Sequence, residues 1–359
     1  MKYCSECGQC LADSCTVCPV CGHDASDASA KPENPYEAEK YVRSGIKYSY
    51  VKPKATIVLI AINVLMYLFI TVLGFRGSDL VRVLSMHRGA VASGQFFRIL
   101  TSVFTHRELF HLLSNCYALY IYGTILEPAV GKIKYLLIYF AGGLLGNVLT
   151  FAFMPNPSIG ASGAIFGLLG AVIAIYFINP TAMNRMMMRS VISCVIITTI
   201  YSFTGGINNI AHFGGLFGGY LMTCICISER RRKRFFTSRI LVTAVLIICI
   251  TGSVFTGAKR AGDANERQYG NWTVMCFLAS FDMYKEADMF AEKILSDEKS
   301  YYSFDAAATG AVYAIKSGDK KTAIDKIEML PETGTWIDEN IYNDFVKYVS
   351  LAAQQGIEG

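Results

Sequence analysis

Apolar residues along this chain fall in blocks. Between about residue 56 and residue 257 they gather into repeated stretches near 20 residues long, divided by short polar or basic connections. A stretch of that length spans a bilayer as helix. The pattern predicts seven spans, beginning near Thr56, Glu108, Lys132, Ser162, Arg189, Ile207 and Arg239. The first 50 and last 100 residues are polar and mixed, which gives a soluble head, a membrane core and a soluble tail.

Two spans break the apolar pattern. The second, "ELFHLLSNCYALYIYGTILE", carries polar groups well inside it, and the sixth, "INNIAHFGGLFGGYLMTCICI", carries a histidine. Polar side chains at membrane depth are costly, so each marks a candidate functional site. Orientation follows from basic residues in short loops. Arg43, Lys47, Lys52 and Lys54 precede the first span; Lys132 and Lys134 follow the second, Arg185 and Arg189 the fourth, and Arg230 to Arg234 with Arg239 the sixth. All fall on one side if the N-terminus is cytoplasmic, and an odd number of spans then puts the C-terminal region outside. The long loop from Phe75 to Arg107 opposes this, since it holds several arginines and would lie outside.

In that orientation spans two, four and six all start at the outer face. His111 and Asn115 occupy the first two turns of span two, Ser162 opens span four, and His212 lies early in span six. At a rise of about 1.5 Å per residue, all four lie within roughly 10 Å of one face. A serine hydroxyl is a weak nucleophile and needs a base, for which histidine is the usual choice. Attack on a carbonyl builds an oxyanion, which needs donors already in place. The Ser162 N–H at a helix start is one such donor, and the Asn115 amide and His111 ring supply others. No Asp or Glu is placed to orient His212, so the set reads as a dyad. Gly163, Gly167 and Gly170 form a stripe on span four, and Gly215 and Gly219 share a face with His212. Small residues let membrane helices touch backbone to backbone. Gly160 and Gly163 are expected to shape the turn and helix start, Gly167 to receive the histidine helix, and Phe166 to pack beneath the imidazole. His106 lacks such placement and reads as an interfacial residue.

The composition agrees: 53% of the 359 residues are hydrophobic and 17% charged, too apolar for an ordinary soluble protein. The net charge of +5 comes largely from "RRRKR" at Arg230 to Arg234, with no basic groove interleaved with aromatics, so no nucleic-acid partner is expected. The start, "MKYCSECGQC", has no apolar core of a signal peptide.

These residues resemble the rhomboid intramembrane serine proteases over roughly residues 56 to 228. The likeness rests on "GQFFRILTSVFTH" (94–106), "HLLSN" (111–115), "GASG" (160–163) and "AHFGG" (211–215), in the family's order and on the expected spans. It implies that Ser162 is the nucleophile and His212 its general base, with His111 and Asn115 lining the oxyanion hole. Arg98 matches the family's first-loop arginine, a structural role, and Glu127 looks like its buried structural glutamate. "FFR" stands where the family often has a tryptophan before that arginine. The resemblance also implies cleavage of transmembrane protein substrates near the outer end of their helices, without ATP or metal. The rival reading is a non-proteolytic relative of the same class that binds membrane proteins as an adaptor.

Six of the twelve cysteines lie in the first 21 residues. Cys4, Cys7, Cys18 and Cys21 form C-x2-C pairs, each followed by glycine, a spacing that predicts a structural zinc ribbon. Cys10 and Cys15 also stand at knuckle-like spacing; a disulfide knot would need the opposite orientation. The tail alternates helix-like blocks, "MYKEADMFAEKIL", "YYSFDAAATGAVYAIKSG" and "DKKTAIDKIEML", with a last one near Ile337 to Ala353; paired amphipathic helices of this kind resemble tetratricopeptide repeats. Ribbon and tail are candidate surfaces for protein partners. The fold expected is an all-α polytopic membrane protein: zinc ribbon (1–24), linker (25–54), rhomboid-like six-helix core (55–228), basic loop with a seventh span (229–258) and helical, tetratricopeptide-like domain (259–359). Its expected place is a bacterial plasma membrane.

Overall fold

The computed structural model describes residues 53–178, 208–227, 234–261, 264–296, 300–330 and 338–354, with short pieces at 2–3, 10–11, 16, 24, 191–193 and 196. Cys4, Cys7, Cys18 and Cys21, and most of the span expected near Arg189, lie outside the described residues. Near the start, β1 (Lys2–Tyr3) pairs antiparallel with β2 (Cys10–Leu11).

Everything else described is helical or connecting. The order is α1 (Lys54–Val72), α2 (Phe75–Leu84), α3 (Arg88–Ala92), α4 (Arg98–Thr101) with a 3-10 turn (Ser102–Phe104), α5 (Leu109–Val130), α6 (Lys132–Phe153), α7 (Ser162–Ile178), α8 (Asn209–Cys226) and α9 (Arg234–Arg260). Beyond these come α10 (Ala264–Ala279), α11 (Tyr284–Leu295), α12 (Ser303–Ser317), α13 (Lys320–Glu328) and α14 (Glu339–Gln354). Among the described residues four helices are long and apolar enough to cross a membrane: α1, α5, α6 and the Ile240–Arg260 part of α9. The 17-residue α7 is apolar but shorter.

The chain divides into two compact units. The first comprises Met1–Ala61, Ser114–Gly146 and Ser162–Cys249. Its centre is the packing of α7 on α8, made close by glycine. A Cβ on Gly215 would meet the Gly163 carbonyl oxygen at 2.0 Å, and one on Gly219 would meet that of Gly167 at 1.9 Å. Any side chain there would drive the helices apart. α6 joins the same junction through Gly142, where a Cβ would meet the Gly167 Cα at 2.6 Å. In this unit Glu127, near the end of α5, accepts hydrogen bonds from Ala55 N, Thr56 N and Thr56 Oγ1, each at 2.8 Å. A carboxylate thus meets the N-H groups that the start of α1 leaves unpaired.

The second unit comprises Ile62–Leu113, Asn147–Ala161 and Ile250–Gly359. The expected long loop from Phe75 to Arg107 is not one: it folds into α2, α3, α4 and the 3-10 turn, and α2 and α3 pack on α10. α12 is alanine-rich and packs on α11, α13 and α14. Its buried Asp305 takes a hydrogen bond of 2.8 Å from the Trp272 indole N–H, so these two polar groups are matched inside the core. Trp272, Met275, Ala287, Ile294 and Val312 fill the space around it.

Candidate active site

In the first unit α7 begins at Ser162, on the residue the glycine-flanked turn leads into. α8 begins just before His212, and its start is fixed by Asn208, whose side chain accepts from Ala211 N at 3.0 Å. Asn208 was not singled out from the sequence; the signal was an asparagine immediately ahead of a helix that carries a polar residue in its first turn. With both helix starts held and the glycines removing the steric gap, His212 Nε2 and Ser162 Oγ come to 2.8 Å. Phe166, one turn after Ser162, stacks on the His212 ring with centroids 4.3 Å apart and planes 3° from parallel. His212 is buried, so the imidazole is held between a hydroxyl and an aromatic face. Asn115 is also buried in this unit.

The second unit holds His111 and the turn before Ser162. Gly160 has φ +109°, a backbone region that favours glycine. A Cβ there would meet the His111 ring at 2.7 Å, so the imidazole lies directly against this residue. Gly160 N donates to the Ser102 carbonyl at 2.8 Å, and Ser158 pairs both ways with Met86, at 2.8 and 2.9 Å. The approach to Ser162 is thereby tied to the 75–107 segment. His111 and Asn115 stand four residues apart on α5, one turn apart on one face.

Some expectations change. His106 is not interfacial: it is fully buried, its ring edge-on to His111 with centroids 5.1 Å apart. Gly167 takes the histidine helix against its backbone, at Gly219, but the space for its own missing Cβ faces Gly142 of α6. The positions that admit α8 are Gly170, where a Cβ would meet the Leu216 carbonyl oxygen at 2.0 Å, and Gly215 and Gly219 from the other side. Gly163 makes only an ordinary contact, 3.4 Å from the Ala211 carbonyl oxygen. Gly142 and Gly146 on α6 escaped notice, although "AGGLLG" carries small residues four apart.

Arg98 is fully buried at the start of α4. Its Nε donates to Gln95 Oε1 at 2.7 Å, Nη1 to the Arg82 and Ser85 carbonyls at 2.6 and 3.3 Å, and Nη2 to Thr273 Oγ1 at 2.8 Å. Burial pulls its pKa down to about 10, still high enough to keep the charge at neutral pH. Among the described residues no group of three or more His, Cys, Asp or Glu is arranged to hold a metal.

Among the described residues four apolar helices are of membrane length, and near the starts of two further helices, α7 and α8, a serine hydroxyl lies within hydrogen-bond distance of a histidine; the class these define is a polytopic membrane protein. Residues 93–229 match the Rhomboid domain family. The chain is 33% identical over 209 residues to "Rhomboid protease GluP" of Bacillus subtilis, spanning 57% of this chain and 41% of that protein. It is 32% identical over 146 residues to "Putative rhomboid protease YdcA" of the same organism, covering 40% of this chain and 73% of the relative. Similarity extends to "Rhomboid-like protease 1" of Toxoplasma gondii, at 30% over 192 residues, 49% of this chain and 66% of the relative. The chain belongs to the rhomboid family, and it is a multi-pass integral membrane protein.

Proposed function

We propose that this protein is an intramembrane serine protease that cleaves transmembrane protein substrates near the outer membrane face. The observation that carries the reading is the 2.8 Å contact between Ser162 Oγ and His212 Nε2, with the imidazole stacked on Phe166. Its named relatives include rhomboid proteases. Ser162 donates its hydroxyl proton to His212 as the oxygen attacks the scissile carbonyl. The N–H of Ser162 at the start of α7, with the His111 ring and the Asn115 amide, receives the oxyanion. His212 then returns the proton to the leaving amine, and water admitted from outside hydrolyses the acyl-enzyme. No metal takes part in these steps.

The orientation proposed is N-terminus cytoplasmic and C-terminal region outside, with seven spans, in a bacterial plasma membrane. Three arginines of the 75–107 segment, whose charges oppose it by simple counting, are engaged within folded structure: Arg82 with Asp79 and Asp338, Arg88 with Glu266 and Arg98 with the acceptors above. Charges bound in an ordered domain carry less weight than free ones in short loops. Cys4, Cys7, Cys18 and Cys21 are proposed to hold a structural Zn2+ in the cytoplasmic head, and the C-terminal helices to form a tetratricopeptide-like surface for protein partners.

The test is cleavage of a reporter transmembrane substrate by wild type, Ser162→Ala and His212→Ala in liposomes. Wild type should cut and both variants should lose at least about 1,000-fold in rate. Equal cleavage by all three would sink the dyad. Substrate capture with no cleavage by wild type would favour the adaptor reading.

A further inference from the structure

The tail helices are joined to the first loop through a buried charge, and that loop in turn holds the turn that delivers Ser162. Among the described residues Arg98 meets no carboxylate; its guanidinium donates to neutral oxygens. A buried cation held this way depends on every acceptor, because a lost one is not replaced by water. Three of the acceptors, Gln95 and the Arg82 and Ser85 carbonyls, come from the 75–107 segment itself. The fourth, Thr273 Oγ1, comes from α10, 175 residues further along the chain. Thr273 is fully buried, and its hydroxyl proton goes to the Gly270 carbonyl at 2.9 Å, which aims a lone pair at Arg98.

What Arg98 holds is α4 and the 3-10 turn after it. From that short stretch two connections run toward the catalytic chemistry. The Ser102 carbonyl accepts from Gly160 N at 2.8 Å, two residues ahead of Ser162. His106, just past the turn, sets its ring against His111. Asn147 Nδ2 adds a brace, donating to the Ile99 carbonyl at 2.8 Å and Ser102 Oγ at 2.9 Å. A second clasp between tail and loop lies beside the first: Arg88 pairs with Glu266 at 2.7 Å, and Gly89 approaches α10 so closely that a Cβ would meet the Glu266 carbonyl oxygen at 1.5 Å.

We propose that Thr273 is a positioning residue for the protease: its hydroxyl, supplied by the C-terminal helical region, fixes Arg98 and through it the 98–106 stretch that sets Gly160 and His111. The C-terminal region is then part of the active enzyme as well as a candidate partner-binding surface. This inference rests on the protease reading for its effect on rate, but not for the physical link.

The test uses the full-length protein in liposomes, as wild type, Thr273→Val, Thr273→Ser and Glu266→Gln. Both tryptophans, Trp272 and Trp336, lie in the C-terminal region, so their fluorescence reports whether that region is folded in each variant. Two readouts follow. One is amide hydrogen exchange over residues 98–106 and 154–161; the other is the split of cleavage into kcat and KM. Thr273→Val should exchange faster in both segments and lose about tenfold or more in kcat with KM unchanged, since a small misplacement at the reacting centre is costly. Thr273→Ser, which restores the acceptor, should return both readouts to wild type. Glu266→Gln, which loosens the second clasp at a less buried place, should move both the same way by a smaller factor. Unchanged exchange in folded Thr273→Val, or raised exchange with unchanged kcat, would overturn the proposal. If Thr273→Val loses its tryptophan signal, Glu266→Gln decides in the same two readouts. Should wild type fail to cleave, the protease reading fails by itself, while the exchange comparison still decides whether Thr273 holds the 98–106 and 154–161 segments.

Discussion

Around His212 the side chains that are missing matter as much as those present. At Gly215 a Cβ would lie 2.0 Å from the Gly163 carbonyl oxygen, which is backbone and has nowhere to go. Gly215→Ala therefore pushes α8 away from α7 at an overpacking cost of about 1–3 kcal/mol, and the 2.8 Å contact from His212 to Ser162 opens with it. The expected result is a loss of about 100-fold or more in cleavage, with helix content by circular dichroism retained. Gly163→Ala places its methyl at 3.4 Å from the Ala211 carbonyl oxygen, an ordinary contact, and should be the milder of the two. A reversed ranking would count against packing as the cause. Ser162, His212 and Phe166 were legible because periodicity fixes which residues share a helix face and a depth. The partner of each glycine was not, because a stripe on one helix does not say which neighbour fills its groove; the space for the missing Cβ of Gly167 turned out to face α6. His106 was misread for a similar reason. Followed by Arg107 and Glu108 it looks wet in sequence, and only the ring of His111 and the surrounding fold bury it.

Between elements, the carboxylate of Glu127 does for α1 what a local cap would do. It lies 71 and 72 residues from the groups it binds, so no sequence rule for helix starts could pair them. Its placement near the end of α5 would even read as unfavourable to that helix's own dipole. Glu127→Ala leaves the N–H groups of Ala55 and Thr56 without their acceptor in a buried setting. The expected cost is about 1–3 kcal/mol, seen as a lower melting temperature in detergent. Glu127→Gln keeps one acceptor oxygen and should fall between the two; a glutamine variant as unstable as the alanine would point to charge, not capping. The 75–107 segment shows the same limit from the other direction. α2 has 10 residues and α3 has 5, too few to persist alone. They hold because α10, far along the chain, covers them. A pattern reader sees a loop there, and the arginines in it look free because their partners Glu266, Asp338 and Thr273 are equally distant.

For the whole molecule, the buried histidines of the second unit make its stability depend on pH in a stated direction. His87, stacked on Tyr269 with centroids 3.9 Å apart, has its pKa lowered to about 4 by burial and by the nearby charges of Arg98 and Arg88. His106, fully buried, is lowered to about 4 by burial and by His111. Both lie below the ordinary histidine value of about 6.5. The unfolded chain therefore binds more protons than the folded one between the two values. Stability from these groups is fully present above about pH 6.5 and is lost as pH falls toward 4, by about 1 kcal/mol per histidine at pH 5.5. Asp79 acts against them: burial and Asp338 raise its pKa to about 6, with Arg82 opposing the rise, so its protonation favours the folded state below that pH. Two histidines against one carboxyl leave a net loss, steepest between about pH 6 and 5.5, because Asp79 offsets only about half of what the histidines lose. Tryptophan fluorescence of the full-length protein, which reports the C-terminal region, should show a melting temperature that falls from pH 7 to pH 5. His87→Phe keeps an aromatic ring against Tyr269 and removes one titrating group, so its melting temperature should fall less over the same range. An unchanged slope in His87→Phe would mean that the pH response arises elsewhere, and a melting temperature that rises on acidification would mean that Asp79 outweighs both histidines.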